Sequence, residues 1–74
     1  MQYERIRNLR EDNDMTQQQI ADLLFISRRA YVNYELGERG IPTEILSKIA
    51  DIFGTSVDYL IGRTDIKKPY PKKK

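Results

Sequence analysis

The sequence predicts an all-α fold of five short helices followed by a basic tail. Apolar residues recur at intervals of three or four in several separate stretches, which is the spacing of amphipathic helices. Residues that start or stop helices bound these stretches, with Ser or Thr before them and Gly after them. The chain has 74 residues, the size of one domain. We therefore expect a compact helical domain over residues 1–62 and a flexible, disordered segment over residues 63–74.

The composition argues against an enzyme and against a metal site. The chain contains no cysteine and no histidine, so it lacks thiolates, the commonest metal ligand and the commonest general base. A domain of this size buries only roughly 60% of its unfolded surface and has little room for an enclosed active site. No apolar run approaches the roughly 20 residues that span a bilayer, and residues 1–5 lack the apolar core of a signal peptide. We expect a cytoplasmic protein that is not an enzyme and that has no cofactor and no metal.

The charge is distributed unevenly along the chain. Residues 63–74 carry six Lys or Arg and one Asp, a net charge of +5, whereas residues 1–62 carry seven Lys or Arg and ten Asp or Glu, a net charge of −3. The overall charge of +2 is therefore due to the tail. Because the predicted domain is acidic, only the placement of individual arginines can indicate nucleic-acid binding.

Two helices are predicted before residue 25. The apolar positions of the first are Tyr3, Ile6 and Leu9. This helix should end near residues 12–14, whose Asp and Asn side chains compete for backbone hydrogen bonds. Thr16 is a good N-cap for the second helix, and Gln19 completes a capping box. The buried stripe of the second helix consists of Ile20, Ala21 and Leu24.

The third predicted helix begins after the N-cap Ser27 and ends at Gly37, which takes the left-handed conformation without penalty. At helical spacing, one side carries Ala30, Tyr31, Tyr34 and Glu35, and the other carries Arg28, Arg29, Val32 and Asn33. The second side offers groups that suit base edges: Arg for guanine, Asn for adenine and an apolar group for the thymine methyl. Taken alone, the helix would favour a simpler interpretation, a surface helix with two solvated arginines.

Two further helices are predicted after a loop at residues 38–42. The fourth begins at about Thr43 and ends at Gly54. Its inward positions are Leu46, Ile49, Ala50 and Phe53. Ser56 then caps a short fifth helix over residues 57–61.

The second and third helices are joined only by Phe25 and Ile26, so they must cross steeply, as in a helix-turn-helix. The characteristic positions are Thr16-Gln17, Ile20-Ala21, Leu24, Ile26-Ser27, Tyr31, Tyr34-Glu35 and Gly37. This set resembles the helix-turn-helix of the Cro/C1-type, or XRE-family, DNA-binding domains. Residues 5–10 resemble the family's first helix, and residues 46–62 resemble its last two. The resemblance implies a five-helix, lambda-repressor-like domain.

The resemblance also implies roles for individual residues. The family consists mostly of bacterial and phage regulators that bind inverted repeats in double-stranded DNA as dimers, so we expect a bacterial or phage protein in the cytoplasm, associated with the nucleoid. By position, the base-reading residues are Arg28, Arg29, Val32 and Asn33. The phosphate-contacting residues are Gln17, Ser27, Arg39 and Gly40. Arg10 and Glu35 occupy positions that often form a partly buried ion pair between the first and third helices.

Two positions depart from the family's pattern. Phe25 stands where the family commonly has Gly or Asn, at a turn position that often needs a positive φ. Either the turn differs or the strain is tolerated. Phe25 and Leu23 could form an exposed apolar patch, but we expect the Phe25 ring to fold over the edge of the domain. The loop at residues 38–42 has Arg39 where the family often has several basic residues, so phosphate contacts there should be fewer, unless the tail supplements them.

These observations favour a sequence-specific transcriptional regulator that represses by occupying an inverted-repeat operator. The alternative is a protein-interaction module on the same fold, such as an antitoxin of a toxin–antitoxin pair, with its partner at Leu23 and Phe25. We expect a weak homodimer through the last helix. The apolar residues left over on the last two helices are Ile45, Ile52, Val57, Tyr59 and Ile61. The lysines of the tail are either a solubilising end or an arm that lies along DNA phosphates.

Overall fold

A computed structural model of the protein describes residues 3–68, which form five helices and no strand. The helices are α1 (Glu4–Asp12), α2 (Gln17–Leu24), α3 (Arg28–Leu36), α4 (Thr43–Phe53) and α5 (Val57–Leu60). The all-α class and the order of the five helices are confirmed. None of the helices within the described residues is long and apolar enough to cross a membrane.

Side-chain caps define where three of the helices begin. The Thr16 hydroxyl accepts a hydrogen bond from the Gln19 N–H at 3.1 Å, and the Gln19 side chain accepts one from the Thr16 N–H at 2.8 Å, so the predicted capping box is confirmed. Ser27 accepts from the Ala30 N–H at 3.1 Å, and Ser56 caps α5 in the same way. These bonds satisfy N–H groups that have no partner inside the helix.

Left-handed residues define where three of the helices end. Gly37 follows α3 with φ 78°, and Gly54 follows α4 with φ 64°, as predicted. Phe25 follows α2 with φ 57°. The fifth helix ends at Leu60, one residue earlier than predicted, because Ile61 has already left helical geometry.

A single core unites all five helices. Its buried apolar residues are Ile6, Leu9, Ile20, Ala21, Leu24, Tyr31, Ile41, Leu46, Ile49, Ala50 and Leu60. Helix α2 packs against α3 and α4, and α1 packs against α3 and α5. Ala21 is fully buried, and its small side chain permits close approach of the crossing helices. Phe53, predicted to face inward, is half-buried at the edge of this core. The core thus holds α3 from two sides.

Residues after α5 return to the body of the domain. Two nitrogens of the Arg5 guanidinium bind this region: Nη1 donates to the carbonyls of Tyr59, at 2.9 Å, and Thr64, and Nη2 donates to the Asp65 carboxylate at 2.7 Å. The buried Thr55 hydroxyl donates to the Lys67 carbonyl. Residues 64–67 are therefore attached to α1 and to the α4–α5 connection. The remainder of the predicted flexible tail, residues 69–74, lies outside the described residues.

Candidate nucleic-acid interface

Helix α3 presents a polar face to solvent and an apolar face to the core. Arg28 and Arg29 are exposed, and Val32 and Asn33 are half-buried. On the opposite side Tyr31 is completely buried. The structure therefore brings the four residues predicted to read bases onto one accessible face, at the amino-terminal and middle part of the helix.

The beginnings of α2 and α3 open onto the same surface. One depression is lined by Arg10, Met15, Thr16, Gln17, Gln18 and Arg28. At the start of a helix, free N–H groups and the positive end of the helix dipole favour an anion such as phosphate. Gln17 and Arg28, predicted to contact a phosphate and a base, are thus neighbours across this depression.

A bidentate ion pair fixes α3 to α1. Nε and Nη2 of Arg10 donate to the two carboxylate oxygens of Glu35, each at 3.0 Å. The Arg10 side chain is 13% exposed and that of Glu35 is 5% exposed. Nη1 of Arg10 also donates to the Met15 carbonyl at 3.0 Å, in the segment that leads to α2. One guanidinium group therefore joins three segments of the motif.

Gln17 extends this network into α2. Its side-chain amide donates to the Glu35 carboxylate at 3.5 Å, a long hydrogen bond. Gln17 is half-buried and lies at the first position of α2. It thereby braces α3 from a position next to the candidate interface. Its contact with a phosphate stays a prediction.

Burial and charge oppose each other at Glu35. Burial disfavours the ionised carboxylate, but the hydrogen bonds from Arg10, the nearby Tyr31 hydroxyl and attraction to Arg10 together outweigh burial and lower the pKa of Glu35. The hydrogen bond to Glu35 raises the pKa of Arg10. Burial raises the pKa of Tyr31, and the neighbouring Glu35 carboxylate adds to the rise. Within residues 3–68, the buried Tyr31 hydroxyl has no hydrogen-bond partner. At neutral pH the cluster therefore contains an ionised pair beside a neutral tyrosine.

Phe25 keeps the turn that its family position requires. Its φ of 57° and ψ of 39° lie in the left-handed region, and the following Ile26 N–H donates to the Ala21 carbonyl at 3.0 Å. The turn geometry is thus retained and the strain is tolerated. The expectation that the ring folds over the domain edge is wrong, because Phe25 is 89% exposed. The ring points away from the core because α2 has already ended and Ile26 is the residue that packs inward. Leu23 is 51% exposed as well.

The remaining predicted phosphate contacts are accessible. Ser27 is exposed, and while its oxygen accepts the cap hydrogen bond, its O–H can still donate. Arg39 and Gly40 are exposed in the loop between α3 and α4. A side chain at Gly40 would meet nothing within 4 Å, so the space on that side of its backbone is open.

Two arginines of α1 were not identified from the sequence as functional candidates. Arg5 holds the segment after α5, and its partners are more than 50 positions away in the chain, so no local pattern indicates them. Arg7 lies in an ordinary i, i+4 pair with Glu11, at 3.7 Å. Only the fold brings Arg7 to a cleft beside Gln17 and Glu35.

Residues 3–68 contain no group of three or more His, Cys, Asp or Glu side chains placed to hold a metal ion.

Comparison with known proteins places this motif in a family. The model of the helix-turn-helix family matches residues 6–60. The chain is 38% identical over 72 residues to the HTH-type transcriptional regulator AnsR of Bacillus subtilis, an alignment of 97% of this chain and 62% of AnsR. It is 49% identical over 61 residues to the cryptic phage CTXphi transcriptional repressor RstR of Vibrio cholerae, covering 81% of this chain and 54% of RstR.

A third relative is an antitoxin. The chain is 31% identical over 64 residues to the antitoxin PezA of Streptococcus pneumoniae, covering 86% of this chain and 40% of PezA. The chain thus spans less than two thirds of the length of each of these relatives. No solved structure matches the chain significantly. With most of its length matched and the motif's geometry present, this chain belongs to the helix-turn-helix family, in its Cro/C1-type or XRE-family form.

Proposed function

We propose that this protein is a sequence-specific DNA-binding transcriptional regulator, acting at the nucleoid as a repressor that occupies an inverted-repeat operator. The observation that carries the proposal is the accessible face of Arg28, Arg29 and Asn33 on α3, held in place by a buried Tyr31 and the Arg10–Glu35 ion pair. The similarity to AnsR, a transcriptional regulator, and to RstR, a transcriptional repressor, supports it.

The proposed mechanism places the first half of α3 in the major groove, where this motif directs its side chains to base edges. Arg28 or Arg29 donates two hydrogen bonds to O6 and N7 of guanine, and Asn33 pairs with N6 and N7 of adenine. Val32 rests on a thymine methyl group. Gln17, Ser27, Arg39 and Gly40 bind phosphates and set the position of α3 without reading sequence.

Recognition of an inverted repeat requires two copies, with half-sites about 10–10.5 base pairs apart. The proposed contact is formed by the half-buried apolar residues Ile45, Ile52, Val57, Tyr59 and Ile61. Because these side chains also pack against the core, little apolar surface remains for a partner, and we expect self-association that is strengthened on DNA. Sedimentation with and without operator measures this. A single monomer on a non-repeated site would contradict it.

The functional test begins with selection of bound sequences from random DNA. Alanine at a base-reading arginine, Arg28 or Arg29, should cost about 1–3 kcal/mol in binding and relax the preference at one base position. Alanine at Gln17 or Arg39 should weaken binding to all sequences about equally. Tyr31→Ala should instead unfold the domain, because its ring is completely buried.

Stability and sequence preference should be measured together for all of these variants. If Arg28, Arg29 and Asn33 can each become alanine while the preferred site and the affinity stay the same, α3 does not read DNA. The proposal then fails, since it rests on this face of α3.

A second candidate function is binding of a protein partner at Leu23 and Phe25, as in an antitoxin. The supporting observation is a phenylalanine that is 89% exposed in a strained backbone conformation, because neither property contributes to stability. The similarity to the antitoxin PezA is compatible with this candidate. The test is a photo-crosslinking residue at position 25 in cells, with position 48, on the exposed side of α4, as the control. A crosslinked product of one defined mass, absent from the control, supports a partner there, and its absence contradicts one.

A further inference from the structure

A polar cleft lies between α1, the start of α2 and the end of α3. It is lined by Glu4, Arg7, Arg10, Gln17, Glu35 and Leu36. Arg10 and Gln17 also line the depression that contains Arg28, so the two hollows adjoin each other. The cleft therefore extends the candidate interface from α3 and α2 onto α1.

The two arginines of this cleft differ in how firmly they are already paired. Arg10 is bound through two nitrogens to Glu35 and through a third to a carbonyl. Arg7 makes one ion pair in residues 3–68, a 3.7 Å approach of Nε to Glu11. The Arg7 and Glu11 side chains are 63% and 53% exposed, and an exposed pair of this kind is worth little in water. The Arg7 guanidinium is thus the cation of the cleft that can turn to another anion.

We propose that Arg7 is a further DNA-contacting residue, which binds a backbone phosphate next to the one contacted by Gln17. The inference rests on the proposed function, because it needs α3 to dock in the groove. The planar guanidinium can donate two parallel hydrogen bonds to phosphate oxygens. Binding costs only the exposed pair with Glu11. The folded domain is acidic, so each cation that reaches a phosphate matters more than it would on a basic protein.

Glu4 lines the same cleft one helical turn before Arg7. Its carboxylate would face the same phosphate and repel it. The arrangement therefore predicts opposite effects for two neighbouring residues of α1: removing the charge of Arg7 weakens binding, and removing the charge of Glu4 strengthens it.

The experiment compares Arg7→Gln, Glu4→Gln and the matched control Arg63→Gln, an exposed arginine after α5. Affinity is measured by fluorescence anisotropy over a range of salt concentrations, on the selected operator and on an unrelated duplex. We expect Arg7→Gln to weaken binding to both duplexes by the same factor and to reduce the slope of log affinity against log salt by about 0.9. Arg7→Lys should recover most of that slope, because lysine keeps the charge. Glu4→Gln should tighten binding to both duplexes, and Arg63→Gln should leave both affinities unchanged.

The outcomes separate this inference from the proposed function. If the wild-type protein selects no sequence, the proposed function fails before Arg7 is tested. If the wild type selects an operator but Arg7→Gln matches Arg63→Gln in affinity and slope, the Arg7 contact is overturned alone. A changed sequence preference in Arg7→Gln also overturns it, since a phosphate contact carries no sequence information. Thermal unfolding of each variant checks that the domain is intact.

Discussion

Phe25 combines a strained backbone with an exposed ring. A left-handed conformation costs a residue with a side chain roughly 1–2 kcal/mol, and the 89% exposed ring recovers little by burial. We expect Phe25→Gly to stabilise the domain by about 0.5–1 kcal/mol, because glycine takes this conformation freely but gains flexibility in the unfolded chain. Urea unfolding measures the change. The matched variant is Phe25→Asn, because asparagine tolerates the same φ without the extra flexibility of glycine. A loss of stability in both variants would show that the left-handed conformation of Phe25 is not strained.

Glu35 should make stability depend on acid pH. Its pKa is lowered in the folded protein, so its contribution is complete above the ordinary carboxyl pKa of about 4.3 and is lost as the pH falls through the lower folded value. At pH 7, Glu35→Gln should cost about 2–3 kcal/mol, somewhat less than a fully buried pair because Arg10 still reaches solvent. The difference in the free energy of unfolding between wild type and Glu35→Gln should become smaller below pH 4. Glu11→Gln, in an exposed pair, is the control and should change stability little at either pH.

Some residue roles could be derived from the sequence and others could not. Ser27 and Gly37 follow from local chemistry, since a cap and a left-handed stop involve only neighbouring residues. The direction of the Phe25 side chain does not follow, because an apolar residue in a turn can point inward or outward with the same pattern. Arg5 was missed because its partners lie at the other end of the described chain.

At the scale of elements, the start of α2 links stability to the interface. Thr16→Ala removes a cap and half of a capping box, which should cost about 1 kcal/mol. Because Gln17 is the next residue, fraying of this turn should also weaken DNA binding to all sequences. Gln18→Ala is the control for stability alone, since it removes an exposed i, i+4 hydrogen bond with Asp22 but also alters the depression beside Arg28. If Thr16→Ala leaves both unfolding and DNA affinity unchanged, the cap does not order the first turn of α2.

The helices themselves were largely predictable from the sequence, because helical spacing and caps act over a few residues. The cleft beside Arg7 was not, because it is formed by three helices whose mutual packing depends on the whole core. The resemblance to a family supplied the roles along α3, and the structure added the accessibility of that face. Its contact with DNA stays a proposal.

For the whole molecule, the uneven charge leads to a test of the tail. A chain cut after Lys68 removes Lys72, Lys73 and Lys74 but keeps the attached residues 64–67. If those lysines contact phosphates, the salt slope should fall by about 0.9 for each contact, with stability unchanged. A cut after Arg63 should in addition lower stability, because Arg5 loses Thr64 and Asp65 and Thr55 loses the Lys67 carbonyl. An unchanged slope after the first cut would leave the lysines as a solubilising end.

The contacts of Arg5 determine how large the cooperative unit of this protein is. The family match stops at residue 60, yet Arg5 donates to Thr64 and Asp65 and lies 4.3 Å from the centre of the Tyr59 ring. When residues 64–67 detach, Arg5 loses two of its partners, and the first turn of α1 is therefore loosened as well. Amide hydrogens of that turn and of the turn after α5 should exchange with solvent at a common rate, as one opening unit. The two ends of the described chain are thus held together by the contacts of Arg5 with Thr64 and Asp65. A fragment trimmed to the family match, residues 6–60, would lack these contacts at both of its ends.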